Sequence, residues 1–414
     1  MNPIGTSKPP KTGWSRVEKG TIVPTRNINL TEHLDYFVER QVASGRYSNA
    51  SEIVRASLQR YRSMARISSF ALFFLGLCLS RPALADESTR VPRATTPQVQ
   101  HTVERAIGYL QTESAAWLRT RKCAACHHAP LPLWALSEAG QQGYAIDKKF
   151  LADTAAATLG SLEKMIDAKL VSNPADPPDP RPSARGVNMG TVFMAVAAQS
   201  FPVLDKGQKQ SLRLIADEIV KKQRDDGSWE FFLNLRRPPI NESQTTDAVW
   251  IILALQGEMG RDATQLQRAA LKKATAWLAG ARLSDNLQDK VLPVLLALRA
   301  GKSRLEMQIV IDALLARQRS DGGWSQTAKM TSDAFATGQT LYVLALAGYT
   351  AEQPDIQRAI NFLVTTQKPD GSWPMTSRST PDGKPGSAKL LTPITCAAAA
   401  WATLGLARLT PKRP

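Results

Sequence analysis

Six consecutive residues gather much of this chain's reactive chemistry: Cys123-Ala-Ala-Cys126-His127-His128. Two thiols three positions apart, followed at once by an imidazole, support three different reactions. They can form thioethers to the two vinyl groups of a haem while His127 ligates the iron, the Cys-x-x-Cys-His pattern of c-type attachment. His101 or a Met would then supply the second axial ligand. They can instead hold zinc or copper through Cys123, Cys126, His127 and His128. Or Cys123 and Cys126 can close a local disulfide in an oxidising compartment. The chain holds four Cys and four His, so half of each lies in this stretch. The residues alone leave the three readings open.

The surroundings that must position this motif read as helical. Apolar periodicity predicts helices over 99–112, 131–140, 150–168, 187–199, 208–223, 244–257, 264–280, 287–299, 304–318, 333–348, 353–366 and 392–409. They pair into six hairpins, with the Cys motif in the loop inside the first. The even-numbered helices are the more apolar: Ala248–Leu255, Tyr342–Ala347 and Cys396–Leu406 carry almost no charge. The odd ones carry Lys, Arg, Glu and Gln. A helix that is apolar all round is a buried one. The expected fold is therefore mostly α, a single (α/α)6 toroid with apolar helices inside and amphipathic ones outside. A chain of this length buries a large core without disulfides. Two loops, 174–182 and 376–393, are rich in Pro and other turn residues and would lie at one face of the ring, where they can cover its mouth.

A repeat supports the same architecture. The sequence writes Gln223-Arg-Asp-Asp-Gly-Ser-Trp229, Gln318-Arg-Ser-Asp-Gly-Gly-Trp324 and Gln367-Lys-Pro-Asp-Gly-Ser-Trp373. The last copy is preceded by Arg358-Ala359-x-x-Phe362-Leu363. That first half recurs without the second at Arg105-Ala106-x-x-Tyr109-Leu110 and Lys273-Ala274-x-x-Trp277-Leu278. Ala-x-x-aromatic-Leu marks one helix face, and Asp-Gly a tight turn. The Gln amide is expected to bond backbone groups at a neighbouring helix end while the Trp packs over the turn, clamping one repeat to the next. This is the QW pattern. From about residue 99 to 410 the chain resembles the squalene–hopene (terpene) cyclase and protein prenyltransferase superfamily. The resemblance implies the toroid and an apolar, isoprenoid-like ligand in its cavity. Class II cyclases of that superfamily protonate an alkene with an aspartic acid in Asp-x-Asp-Asp-Thr-Ala. The corresponding stretches here are Ser243-Gln-Thr-Thr-Asp247-Ala and Lys329-Met-Thr-Ser-Asp333-Ala. The middle acidic pair is gone, and Asp247 and Asp333 are carried over as catalytic candidates that also suit helix capping. The zinc site of prenyltransferases needs a late His, and none follows residue 128.

The first hundred residues read differently. After a tail at 1–22, Thr25-Arg-Asn-Ile-Asn-Leu30 alternates as a short strand with Ile28 and Leu30 inward. A helix at 31–43 follows, and Asn49-Ala-Ser-Glu52 reads as a capping box opening a second helix. Strand–helix–helix in so few residues needs a second copy to fold. Residues 23–63 resemble the ribbon-helix-helix domain of ParD-type antitoxins. That resemblance implies a homodimer whose paired strands enter the DNA major groove. Thr25, Asn27 and Asn29 would then face base edges, and Arg26 and the helix start at Asn49 would hold phosphates. A cognate toxin is the implied partner, although the tail that binds it is missing.

Residues 64–85 replace that tail. Met64, one Arg, a mostly apolar run at 67–79 and Ala83-Leu-Ala85 before Asp86 spell a secretory signal peptide, too short to be a spanning helix. Two readings follow. The working start is Met64 and residues 1–63 are an upstream reading frame joined to it, or the apolar run anchors a cytoplasmic DNA-binding segment to an exported toroid. The first is preferred, which places residues 86–414 in the periplasm after a linker at 86–98. Charge fits the division. Residues 1–63 carry ten Lys and Arg against five Asp and Glu, whereas 86–414 carry 40 against 31. The second excess is spread out and suits a soluble surface rather than a nucleic-acid groove.

Overall fold

The computed structural model describes residues 14–16, 22–24, 39, 42, 48–53, 93–121, 128–159, 189–229, 238–240, 242–258, 263–378 and 394–413. The chain divides into two compact units, Met1–Ser88 and Thr89–Pro414.

In the first unit β1 (Trp14–Arg16) pairs antiparallel with β2 (Ile22–Pro24), Ser15 opposite Val23. Both precede the expected strand at 25–30, and β1 falls within the stretch read from sequence as a tail. Thr25, Arg26, Asn27 and Asn29 lie outside the described residues. Asn49 does cap a helical turn at 50–53, its Oδ1 accepting the Glu52 N–H at 3.0 Å. The reciprocal bond of the expected capping box is displaced by one residue. The Glu52 carboxylate accepts the backbone N–H of Ser48 at 2.7 Å.

The second unit contains twelve helices among the described residues: α1 (Thr96–Arg121), α2 (Pro130–Gln141), α3 (Lys148–Leu159), α4 (Met189–Ala198), α5 (Lys206–Lys221), α6 (Gln244–Glu258), α7 (Gln265–Gly280), α8 (Gln288–Arg299), α9 (Gln308–Leu315), α10 (Ala334–Leu346), α11 (Pro354–Thr366) and α12 (Thr395–Leu409). Local chemistry starts several of them. Asp205 and Thr264 open α5 and α7 with complete capping boxes to Gln208 and Gln267. Pro stands in the first turn of α2 and α11, where its missing N–H costs nothing. Two expected spans change. α1 runs on to Arg121, well past 112, and α9 shrinks to Gln308–Leu315 because Ser303 and Glu306 cap each other in a separate turn before it.

Burial sorts the helices as their composition predicts. In α10 every residue from Ala334 to Leu344 is buried, and in α12 every one from Cys396 to Ala407. The outer α7 buries only Gln267, Ala270 and Ala274. The even helices pack in sequence, α2 on α4, α4 on α6, α6 on α8, α8 on α10 and α10 on α12, and α12 returns to α2. They form a closed inner ring, with the odd helices outside it and α11 meeting α1. The α10–α12 seam is the tightest. A Cβ on Gly338 would lie 2.4 Å from the backbone nitrogen of Ala402.

The repeat proves to be a two-part joint. Gln223 Nε2 donates to the carbonyl oxygen of Ala270 at 2.8 Å, Gln318 Nε2 to that of Asp355 at 2.7 Å, and Gln367 Nε2 to that of Thr102 at 2.9 Å. Each amide also donates to the glycine of its own turn. The Trp indoles bind their own helix, reaching the carbonyls of Ile219, Leu314 and Leu363. The three receiving helices, α7, α11 and α1, are the ones that carry the first-half motif. The turn that follows one outer helix docks on the first half of the next one clamped. Gly227, Gly322 and Gly371 all have φ near 90°, and a Cβ on them would stand within 2.4 Å of the carbonyl oxygens of Lys273, Arg358 and Arg105. The copies without a second half are therefore receptors, and the third joint links the end of the ring to its beginning.

Candidate functional site at the ring axis

The inner helices aim aromatic side chains at the ring axis. Trp134 of α2 meets Trp401 of α12 at 5.2 Å between centroids, Tyr342 of α10 at 5.4 Å and Trp250 of α6 at 6.3 Å. Phe193 of α4 stands edge-on to Trp250 at 4.9 Å, and Phe335 and Trp401 are 6.3 Å apart. All six are buried. Trp250 touches Trp401 from the far side of the ring, at 6.2 Å. At this level the axis is filled by packed rings, not hollow. The indole N–H groups of Trp250 and Trp401 have no hydrogen-bond acceptor among the described residues.

Toward the carboxyl ends of the inner helices, an ionic layer backs the aromatics. Buried Glu138 accepts from Trp134 Nε1 at 2.7 Å, from the Tyr342 hydroxyl at 2.6 Å and from Arg408 Nε at 2.6 Å. The Arg299 guanidinium lies 4.9 Å above the Trp134 ring and that of Arg408 5.3 Å above Tyr342. Two cations at this end offset the negative ends of the converging helices. Burial, and then the Glu138 carboxylate, hold the Tyr342 phenol above its usual range.

Toward the amino ends the axis becomes acidic. Asp247 is buried in the first turn of α6, three residues before Trp250 and so on the same helix face. Asp333 is the N-cap of α10. Its Oδ1 accepts the Ala336 N–H at 2.8 Å and its Oδ2 the Gln326 amide at 3.1 Å. Burial pushes its pKa up to about 6 against the pull of these bonds. Gln326 accepts in turn from Arg378 Nε at 2.9 Å, and Arg378 pairs with buried Glu242. Asp289, at the start of α8, is also buried, its carboxylate accepting from Ser243 and Thr245 hydroxyls and the Ser284 N–H. Capping is thus a structural duty Asp333 performs, while Asp247 lies one helical turn before Trp250. Glu242, Gln326 and Arg378 did not stand out in the sequence. They are 52 to 136 positions apart, and no spacing rule connects them.

Of the Cys motif, Cys123, Cys126 and His127 lie outside the described residues. His128 is buried, stacked on Trp117 of α1 with centroids 3.9 Å apart, and its Nε2 is 3.8 Å from Glu113. Burial lowers its pKa to about 4, so the imidazole is neutral. Cys396 of α12 is a free buried thiol, its pKa raised by burial and by Glu113. No group of three His, Cys, Asp or Glu side chains among the described residues is placed to hold a metal. No helix among them is long and apolar enough to cross a membrane, and 64–85 is not described.

No curated protein matches the sequence. The unsaturated glucuronyl hydrolase of Streptococcus agalactiae superposes with a TM-score of 0.53 at 12% identity, over 78% of this chain and 94% of that one. A type II terpene cyclase from Scytonema, in complex with geranylgeranyl dihydroxybenzoate, gives 0.49 at 14% identity, over 77% and 99%. The first of these shows the α/α toroid fold. Residues 24–65 match the bacterial antitoxin of the ParD toxin-antitoxin type II system, and residues 281–411, which carry α8 to α12 with Gln326, Asp333, Arg378 and Trp401, match the squalene-hopene cyclase C-terminal domain.

Proposed function

We propose that the toroid binds an apolar, isoprenoid-like ligand at the amino-terminal mouth of its inner ring and protonates it there. The observation that carries this reading is a buried carboxylate, Asp247, one helical turn before Trp250 of the packed aromatic cluster. A carboxyl group has a proton to give near neutral pH only where desolvation keeps it protonated, and aromatic faces stabilise the cation that forms. Asp247 is assigned the donor role, because it shares a face with Trp250. Asp333 is the second acid. Its two oxygens already hold the α10 cap and Gln326, and the match over 281–411 supports its inclusion. The test is binding of farnesol and squalene to the full chain, with product analysis, beside Asp247→Asn and Trp250→Ala. Binding that survives Asp247→Asn while conversion is lost is the expected result. If neither isoprenoid binds, the reading fails.

The match over 24–65 favours a second activity for the first unit, a homodimeric DNA-binding segment with Thr25, Arg26, Asn27, Asn29 and Asn49 at the duplex. Gel shifts on the chain's own promoter, with Asn27→Ala, test it. The signal-like segment at 64–85 would send residues 86–414 to the periplasm. Cys123, Cys126 and His127 fit covalent haem by their donor chemistry, and with His128 they fit zinc or copper. Bound there, haem would supply one-electron chemistry. Intact mass and an absorbance spectrum of the protein from its host test both readings. A chain beginning at Asp86 with the added mass of one haem supports them. A full-length chain without it refutes them.

A further inference from the structure

Outside the ring axis a groove of about 510 Å³ opens between the end of α7 and the starts of α6 and α8. This volume falls in the usual range for small-molecule sites. One wall is the half-buried indole of Trp277, and Gly280 beside it has open space where a Cβ would stand. The opposite wall is polar and built. The Ser243 and Thr245 hydroxyls are held at 2.8 and 3.1 Å by the buried carboxylate of Asp289. Arg282 is exposed at the rim, with no ion-pair partner among the described residues.

Trp277 is the aromatic of the first-half motif on α7, and Phe362 is its counterpart on α11.

We propose that this groove is a saccharide-binding site that takes a pyranose ring bearing a carboxylate. The electron-rich face of an indole attracts the polarised C–H bonds on one face of a sugar ring. Thr245 spends its proton on Asp289, which leaves its oxygen able to accept from a ring hydroxyl, whereas Ser243 Oγ already accepts the Thr246 N–H at 3.0 Å. Arg282 offers a carboxylate a bidentate partner, and the amino ends of α6 and α8 add a favourable field. An inorganic anion would leave the indole face unused. A hydrocarbon would leave the Arg282 guanidinium unused and would cover the Thr245 oxygen without giving it a donor.

The experiment is titration calorimetry on the full chain with a glucuronic-acid-terminated disaccharide and its glucose-terminated analogue. Gly280→Leu fills the groove without a backbone clash and should abolish binding of both sugars while leaving the melting curve unchanged. Arg282→Ala should weaken the acidic sugar about tenfold, to the level of the neutral one. Failure of both sugars to bind overturns the proposal, as does binding indifferent to Gly280→Leu. Equal affinity for the two sugars, unaffected by Arg282→Ala, removes the carboxylate from the assignment and overturns it in that form. Isoprenoid binding at the axis is independent of every one of these results.

Discussion

Asp333 does two jobs that pull on its proton in opposite directions. As the cap of α10 it favours the carboxylate, and as a desolvated group it favours the acid, with burial winning to put its pKa at about 6. An unfolded aspartate titrates near 4. The folded state therefore holds this proton more tightly, and the stability so gained is full below about pH 4 and lost as pH rises through about 6. Asp333→Asn, which keeps the cap acceptor, should flatten unfolding free energy between those values by on the order of 1–2 kcal/mol. Urea melts at pH 4, 5, 6 and 7 read this directly. Glycines give a second contrast. Gly322→Ala meets both a φ of 87° and the Arg358 carbonyl at 2.4 Å, whereas Gly348→Ala meets a φ of 83° and open space. The second should cost about 1 kcal/mol by denaturant unfolding and the first more than about 3 kcal/mol. At this scale the sequence showed which residues recur and not what they touch. Gln223, Gln318 and Gln367 announced themselves by repetition. Glu138, which gathers Trp134, Tyr342 and Arg408, is one Glu among many until the ring closes around it.

Helices were legible because their apolar faces are set by local spacing, and inner and outer helices separated on charge content alone. The pairing of joints was not legible, because a turn and the helix it docks on are separate stretches of chain. Lys273-Ala274 looked like a repeat missing its end, and it is the surface that receives Gly227. Joints set the local stability of elements. Gln318→Ala removes donors from the carbonyls of Asp355 and Gly322, for an expected loss of about 2–3 kcal/mol in chemical denaturation. α3 (Lys148–Leu159) is neither followed by a Gln–Trp turn nor receives one in the described structure, and beyond its packing it is tied only at its ends, by the Asp147 N–H donating to Gln111 Oε1 of α1 at 2.9 Å and by Ser211 Oγ of α5 donating to the Leu159 carbonyl at 2.7 Å. Among the described helices it should exchange its amide hydrogens first, and α12 last, in a native-state exchange experiment.

On the scale of the molecule, the match over 281–411 covers only the second half of the toroid, yet the axis draws its aromatics from α2, α4 and α6 as well. Neither half can make the site alone. Gln367→Ala at the joint to Thr102 should therefore lower the single melting transition of the whole toroid rather than fray one end. Calorimetry showing two separate transitions would contradict this. The last hairpin is fixed to the first a second time, by Arg413, whose N–H reaches the Gln142 carbonyl at 2.9 Å and whose guanidinium meets Glu104 at 2.6 Å. So the toroid has a first and a last residue only as a polymer. As an object it has no beginning, and the ribosome's starting point is one arbitrary cut in a hoop. A gene rewritten to begin at Lys302 and end at Gly301, with Arg413 tied to Arg93 by a flexible bridge, describes the same hoop cut elsewhere.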